Sequence, residues 1–439
     1  MTTTTTTTAL DSLLKGADPV VAGALDRALS GKDITVDEAV VLFDSTGLEM
    51  SLTVAVADEL RRQTVGDTVT YVVNRNINFT NVCIKQCGFC AFSRDFREEE
   101  GYFLPSEEIV RRAKEAASLG ATEVCIQAGL PPKMDGRLYI DILEAVKKEL
   151  PDMHVHAFSP EEVLYGAVRS EVSTLEYLKM LKEAGVGSLP GTSAEILDQS
   201  VRDIISPGRI KVDEWVSIIR QAHSLGIPTT STIMYGHVEN SRHRAEHIAL
   251  IRQIQKETHG FTEFVPLSFV HTEAPMYRHG TVSNIRAGAD GFEVVKMHAI
   301  ARIMLNNHIP NIQVSWVKEG PRMSQLLLAA GANDFGGTLI NESISTAAGA
   351  QHGQLMKPRQ IRQLIRAAGR VPAQRTTGYR IIRAYGRDDK EDGESSALDS
   401  ADGSQFGSYH QLVKLDRFRF RDRAGNGGNN NNNTAAAKK

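Results

Sequence analysis

The sequence predicts an α/β fold, a closed (β/α)8 barrel of the TIM type with N-terminal helices and disordered tails. Three observations predict it. Eight short apolar stretches recur through the middle of the chain, and amphipathic helical sequence lies between most of them. Such alternation implies a parallel sheet, and eight units over about 280 residues match a closed barrel. Polar residues suited to ligands then stand at the ends of several stretches: Gln127, Ser159, Thr192, Glu195, Tyr235, Glu239, His271 and Asn341. Barrel sites gather at the C-terminal ends of the strands, on the loops that follow. An open doubly wound sheet is the competing arrangement. No G-x-G-x-x-G follows the first strand, which counts against it.

In chain order, residues 1–34 are expected to be a disordered or helical extension, opening with a threonine run. Residues 35–68 read as N-terminal helices, and Thr35 with Glu38 makes a capping box at the start of "TVDEAVVLF". The barrel is placed at 69–385. Its first strand lies in "TVTYVVNRNINFTN", rich in β-branched and aromatic residues. The others are "TEVCIQAG", "MHVHAFSP", "VGSLPG", "PTTSTIMYG", "TEFVPLSFV", "NIQVSWV" and "NDFGGTLI". Helical sequence occupies 106–119, 136–150, 174–185, 211–225, 240–257, 290–306 and 321–330. Residues 386–439 read as a mostly disordered tail, polar and closing with "GNGGNNNNNTAAAKK". Its "DRFRFRDR" stretch mixes arginine with phenylalanine, but acidic residues interrupt it, so a solvated tail or a last short strand is the better reading than an RNA contact.

Composition narrows the function classes. A net charge of −3 gives no electrostatic case for nucleic acid or an acidic membrane surface. No run approaches the ~18 apolar residues needed to cross a bilayer. The start lacks the features of a secretory or transit segment, so a cytoplasmic location is expected. Four cysteines, three of them bunched, do not form a secreted disulfide framework.

Those three stand as Cys83-x3-Cys87-x2-Cys90, just after the first strand and therefore on the catalytic face. Structural zinc wants four ligands, and no histidine is near enough in sequence to complete the set. A redox pair would leave one cysteine over. The remaining reading is an iron–sulfur cluster. Most 4Fe–4S clusters take four cysteines, so three leave one iron open to a ligand from solution. This spacing, with an aromatic residue, Phe89, before the last cysteine, is a signature of the radical SAM superfamily, in which S-adenosylmethionine binds the open iron. Cys125, in "EVCIQAG", is expected to be a small buried hydrophobe.

The resemblance narrows further. "NINFTNVCIKQCGFCAFSRD", "GTSAEILD", "SPGRIKVDEW", "GIPTTSTIMYGHVE" and "GANDFGGTLINESISTAAGAQHG" resemble the 5-amino-6-(D-ribitylamino)uracil–L-tyrosine 4-hydroxyphenyl transferases, which act in synthesis of the deazaflavin FO. The likeness spans roughly residues 35–385. Radical SAM enzymes of the futalosine route to menaquinone share the first four motifs and are the alternative: an aminofutalosine synthase or a related cyclase. Two departures stand out. Gln127-Ala128-Gly129 replaces the paired glycines usual after the second strand, and only one cysteine triad is present. The resemblance therefore implies that the ring-closing half of FO synthase is a separate protein.

It also implies roles. One 4Fe–4S cluster on Cys83, Cys87 and Cys90 and S-adenosylmethionine would be the cofactors, and L-tyrosine and 5-amino-6-(D-ribitylamino)uracil the substrates. The adenosyl radical would break the tyrosine Cα–Cβ bond, and the hydroxybenzyl fragment would add to C5 of the uracil. A small ferredoxin or flavodoxin would supply the electron. Phe89 would pack at the adenine side of S-adenosylmethionine, or serve only to pack its loop. Ala128 and Gly129 resemble the backbone strip that receives the methionyl amine. Glu195 resembles a carboxylate that relatives use on S-adenosylmethionine; a helix N-terminal glutamate favoured by the dipole is the competing account. Thr192 and Ser193 are candidates to cap that helix. His271 and His352 are candidates for proton transfer. His237 and Glu239 would bind substrate or pair at the surface, and Asn333, Asp334, Asn341 and Glu342 surround the eighth strand as candidates for the ribityl hydroxyls or the amino acid.

Overall fold

The computed structural model describes residues 10, 12–387 and 396–421. Six of the eight expected strands form, and the other two, in "VGSLPG" and "NIQVSWV", are reduced to isolated bridges. The first runs in two segments, β1 (Thr68–Val72) and β2 (Asn74–Ile77). It is followed by β3 (Glu123–Ile126), β4 (His154–His156), β5 (Thr229–Tyr235), β6 (Phe261–Ser268) and β7 (Asp334–Gly337). β2 pairs with β3, β3 with β4, and β5 with β6, all parallel. Single parallel bridges supply the other links: His156 with Ser188, Leu189 with Thr229, Phe264 with Ile312, and Gln313 with Asp334. β7 then returns to β1, and Ile340 to Arg75. The ring of pairings is therefore closed. The fourth and seventh members are only bridges. In "VGSLPG" the reason is direct, because Pro190 has no N–H to donate and the glycines pack no side chain.

The helices at Ser106–Ser118, Leu138–Glu149, Thr174–Glu183, Val212–Ser224, Ser241–Thr258 and Gly291–Leu305 surround the ring, close to their expected bounds. The seventh helix starts earlier than expected, at Trp316. The helix Trp316–Leu327 is kinked where Gly320 takes φ 77° ahead of Pro321. Trp316 is buried and its indole donates to Gly337 O at 2.8 Å, locking this helix to the end of β7. Before the barrel, the capping box at Thr35 and Glu38 is present, with Glu38 N bonded to Thr35 Oγ1 at 3.2 Å. The helix Gly47–Val65 packs on Gly291–Leu305.

Two parts of the fold differ from the sequence reading. β8 (Val371–Arg375) pairs in parallel with β1 and antiparallel with β9 (Ile381–Ala384), so a hairpin folds beneath the barrel. Its Arg375 bonds Asp334 at 2.5 and 2.9 Å, and Thr377 Oγ1 donates to Glu123 Oε2 at 2.6 Å. This plug corrects the placement of Asp334 and Asn333 at the ligand face. Both lie at the N-terminal start of β7, where Asn333 Oδ1 accepts from Arg302 at 2.7 Å. Second, within the stretch read as a tail, residues 396–421 form short helical turns packed on the barrel. Asn341 Nδ2 donates to Phe406 O at 2.9 Å, Phe103 N bonds Phe418 O at 2.7 Å, and Arg419 bridges antiparallel to Tyr102. Apolar Leu398, Phe406, Tyr409, Leu412 and Phe418 are buried, which is what holds this polar segment. The expected disorder at 1–9, 388–395 and 422–439 falls outside the described residues. Among the described residues no helix is long and apolar enough to cross a membrane.

Candidate active site

A cavity of about 400 Å³ opens at the C-terminal ends of the strands and reaches down to the plug. Cys83, Cys87 and Cys90 all line it. Their loop is pinned by its own backbone: Cys83 N to Arg94 O at 3.0 Å, Gly88 N to Ile205 O at 2.9 Å, and Cys90 N to Cys87 O at 3.1 Å. Burial pushes the Cys87 thiol up to about 12 and raises that of Cys83. Arg209 opposes this, since a nearby guanidinium favours thiolates. Among the described residues no group of three His, Cys, Asp or Glu converges on a single metal ion. Three thiols around one pocket, each able to take a different iron, fit a cluster with one iron left over better than they fit one zinc.

The other residues expected to hold cofactor surround the same space. Phe89, Ala128, Gly129 and Glu195 line the cavity. Gly129 N donates to Thr80 O at 2.9 Å and Ala128 N to Glu162 Oε1 at 3.0 Å. With both N–H groups used, the carbonyl oxygens are what this strip can offer an amine. A Cβ at Gly129 would lie 2.3 Å from Val82 O, so only glycine lets this strip approach the cysteine loop. Glu195 starts no helix, which corrects the dipole account. It sits in a turn with φ 43°, beside Ser193 at φ 61°, and the helix begins at Gln199 under Asp198. Left-handed backbone at two non-glycine residues costs on the order of 1–3 kcal/mol each. Thr192 and Ser193 do not cap the helix at Gln199 either: Thr192 Oγ1 bonds Gln127 Oε1 at 2.9 Å, and Ser193 Oγ accepts from Glu161 N at 3.3 Å in the first turn of the helix Pro160–Arg169.

Sequence reasoning passed over Arg209, in "SPGRIKVDEW". Its Nη1 donates to Glu195 Oε1 at 2.6 Å and its Nε to Glu161 Oε2 at 3.3 Å, and its guanidinium lies 5.6 Å from the Phe89 ring. Burial works against its charge, but Cys87, Glu195 and Glu161 outweigh that and raise its pKa. Glu162 was also missed, although Ser159-Pro160-Glu161-Glu162 carries a capping-box signal with proline at the first helical position. That box is formed, and it heads the helix Pro160–Arg169. Burial pushes the Glu162 carboxyl up to about 7. Lys85, Cys125 and Lys318 line the cavity too. Cys125 is half-buried cavity wall, with Gln127 Nε2 3.3 Å from its sulfur, which corrects its reading as a buried core residue.

The remaining candidates divide cleanly. Glu342 lines the cavity and accepts from Ser345 N at 2.9 Å. His271 and His352 do not line it, which corrects their assignment to proton transfer. His271 stands edge-on to Tyr277 with centroids 4.6 Å apart, and His352 is exposed, with its ring over Gly320. His237 and Glu239 are buried in an ion-pair network with Arg244 and Arg286, not at the surface and not in the cavity. Asn341 is buried against Arg75, 2.5 Å away.

A closed (β/α)8 ring with three thiols, a glycine-backed strip and a buried acid–arginine cluster at its C-terminal mouth defines a radical SAM enzyme. Comparison with known proteins agrees. Residues 77–251 match the radical SAM superfamily and 258–386 the CofH/MqnC C-terminal region. The chain is 51% identical over 354 residues to the 5-amino-6-(D-ribitylamino)uracil–L-tyrosine 4-hydroxyphenyl transferase of Methanocaldococcus jannaschii, covering 80% of this chain and 98% of that protein. It is 50% identical to the enzyme of the same name from Methanothermobacter thermautotrophicus, over 82% and 96%. The chain belongs to this family of radical SAM 4-hydroxyphenyl transferases. Among solved structures, the fold resembles the FeFe-hydrogenase maturase HydG from Carboxydothermus hydrogenoformans (TM-score 0.64, 17% identity, 86% of this chain and 84% of that one). It also resembles methylornithine synthase PylB (TM-score 0.61, 19% identity, 80% and 97%). The family uses one 4Fe–4S cluster and S-adenosylmethionine.

Proposed function

We propose that this enzyme transfers the 4-hydroxybenzyl group of L-tyrosine to C5 of 5-amino-6-(D-ribitylamino)uracil, a step in synthesis of the deazaflavin FO. The observation that carries the reading is the half-identity to the two archaeal transferases over nearly their whole length, joined to three thiols on one barrel cavity. Cys83, Cys87 and Cys90 would hold the cluster, and Phe89, Ala128, Gly129 and Glu195 would hold S-adenosylmethionine beside it. Bound there, the two cofactors supply a carbon-centred radical able to open the tyrosine side chain. The protein's own work is positional. Arg209 fixes Glu161 and Glu195 in place on the cavity wall. The floor formed by Glu123, Glu263 and Arg375 closes the far end of the cavity. A small ferredoxin or flavodoxin is the proposed electron donor, and a separate ring-closing FO synthase subunit the proposed recipient of the product.

The test is anaerobic turnover of protein reconstituted with iron and sulfide, supplied with S-adenosylmethionine and a reductant. The reading predicts 5′-deoxyadenosine that depends on tyrosine, and an adduct only when the uracil is also present. Cofactor cleavage indifferent to both substrates would move the chain to the futalosine-route chemistry that shares its motifs.

A further inference from the structure

Lys318 follows the seventh barrel strand, on the first turn of the kinked helix that Trp316 locks to Gly337 O. It is half-buried and lines the cavity. Among the described residues its ammonium makes no hydrogen bond and no ion pair within 4 Å; only more distant carboxylates, Glu342, Glu319 and Glu195, act on it through space. Two of those are already engaged, Glu342 by the Ser345 and Thr346 amides and Glu195 by Arg209. Burial lowers the pKa of Lys318. A desolvated cation without a partner is unfavourable, and the folded chain tolerates it most readily where a ligand brings the missing anion.

The cavity that Lys318 lines also offers apolar surface. Leu267 at the end of β6 and Phe269 and Val270 just after it, with Val317, Leu339 and Ile344, line the same cavity. A cation and an apolar wall in one cavity match a ligand with a carboxylate at one end and an aromatic ring at the other. The ribitylaminouracil carries no anionic group. The methionyl carboxylate of S-adenosylmethionine belongs beside the cysteines. Resting on the functional reading above, we propose that Lys318 binds the α-carboxylate of the tyrosine substrate, with the ring against this wall. Lys318 is then a specificity-determining residue: it holds the fragment that leaves, while the hydroxybenzyl part stays free to move to the uracil.

The test is equilibrium binding to reconstituted, unreduced enzyme loaded with S-adenosylmethionine, using tyrosine and tyramine, which lacks the carboxylate. One charge-assisted hydrogen bond predicts that wild type prefers tyrosine by about 10- to 100-fold. Lys318→Met should lose that preference while its affinity for S-adenosylmethionine stays unchanged, and Lys318→Arg should keep part of it. An unchanged tyrosine preference in Lys318→Met would overturn the assignment. So would a parallel loss of S-adenosylmethionine affinity, which would place the cofactor's carboxylate on Lys318. If the variants fail to fold, wild type showing no preference between the two ligands overturns it equally. Wild type that binds neither ligand, or uses neither in turnover, refutes the functional reading itself.

Discussion

Arg209 Nη1 donates to Glu195 Oε1 at 2.6 Å, and the same guanidinium reaches Glu161 at 3.3 Å. One buried cation thereby ties the turn after the fourth strand to the helix after the third, directly behind the cysteine loop. Removing it leaves Glu195 buried without a cationic partner, while Glu161 keeps Lys85 at 3.4 Å and the Ile210 amide; breaking a buried pair on one side costs about 3–5 kcal/mol. Arg209→Met is therefore expected to lower the thermal unfolding temperature markedly and to cut iron bound per chain after reconstitution. Arg209→Lys, which keeps the charge but loses the fork, should fall between. Thermal unfolding together with iron analysis checks both.

Gly129 presents a sharper steric case. Alanine there puts a methyl group 2.3 Å from Val82 O, the carbonyl just before Cys83. Backbone cannot yield as a flexible side chain does, so the cysteine loop must shift, at a cost of about 1–3 kcal/mol. Gly129→Ala should fold but bind less iron than wild type, whereas Ala128→Gly, which only removes a methyl group, should bind as much. Equal iron in both variants would contradict the packing described.

The order of strands and most helices could be read from the sequence, because alternating apolar stretches and helical periods are local properties. Cys83, Cys87 and Cys90 were readable for the same reason: their spacing is itself the signal. What could not be read was set by contacts distant in the chain. Asp334 looked like a ligand-face residue until Arg375, 41 residues on, drew it into the floor. Arg209 owes its role to Glu161 and Glu195, 48 and 14 residues away. The segment 396–421 looked like a tail because its few apolar residues are scattered, and only the barrel surface brings them together.

His271 and His352 supply a negative prediction. Both lie outside the cavity, so His271→Ala and His352→Ala should retain kcat/KM within about twofold of wild type, as surface changes usually do. Steady-state rates for the two variants decide it. A loss of two orders of magnitude in either would restore that histidine to the reaction.

Glu162 gives a pH dependence of known sign. Burial raises its folded-state pKa to about 7, above the ordinary value of 4.5. The folded chain therefore binds more protons than the unfolded chain between those values, and stability falls as pH rises through that window. The loss is on the order of 1–3 kcal/mol. Denaturant unfolding of the cluster-free chain at pH 5 and pH 7.5 should show wild type losing more stability than Glu162→Gln. Identical losses would mean that the carboxyl is ionised throughout.

The most direct measurement follows the two carbons of the bond said to break. Tyrosine labelled with 13C at Cα or at Cβ is supplied to the reconstituted enzyme with S-adenosylmethionine, reductant and the ribitylaminouracil, and the products are separated by mass. The account predicts the Cβ label in the uracil adduct and the Cα label in the two-carbon fragment, recovered as glyoxylate. Both labels in one product would show that the Cα–Cβ bond survives, and the transfer described here would be wrong.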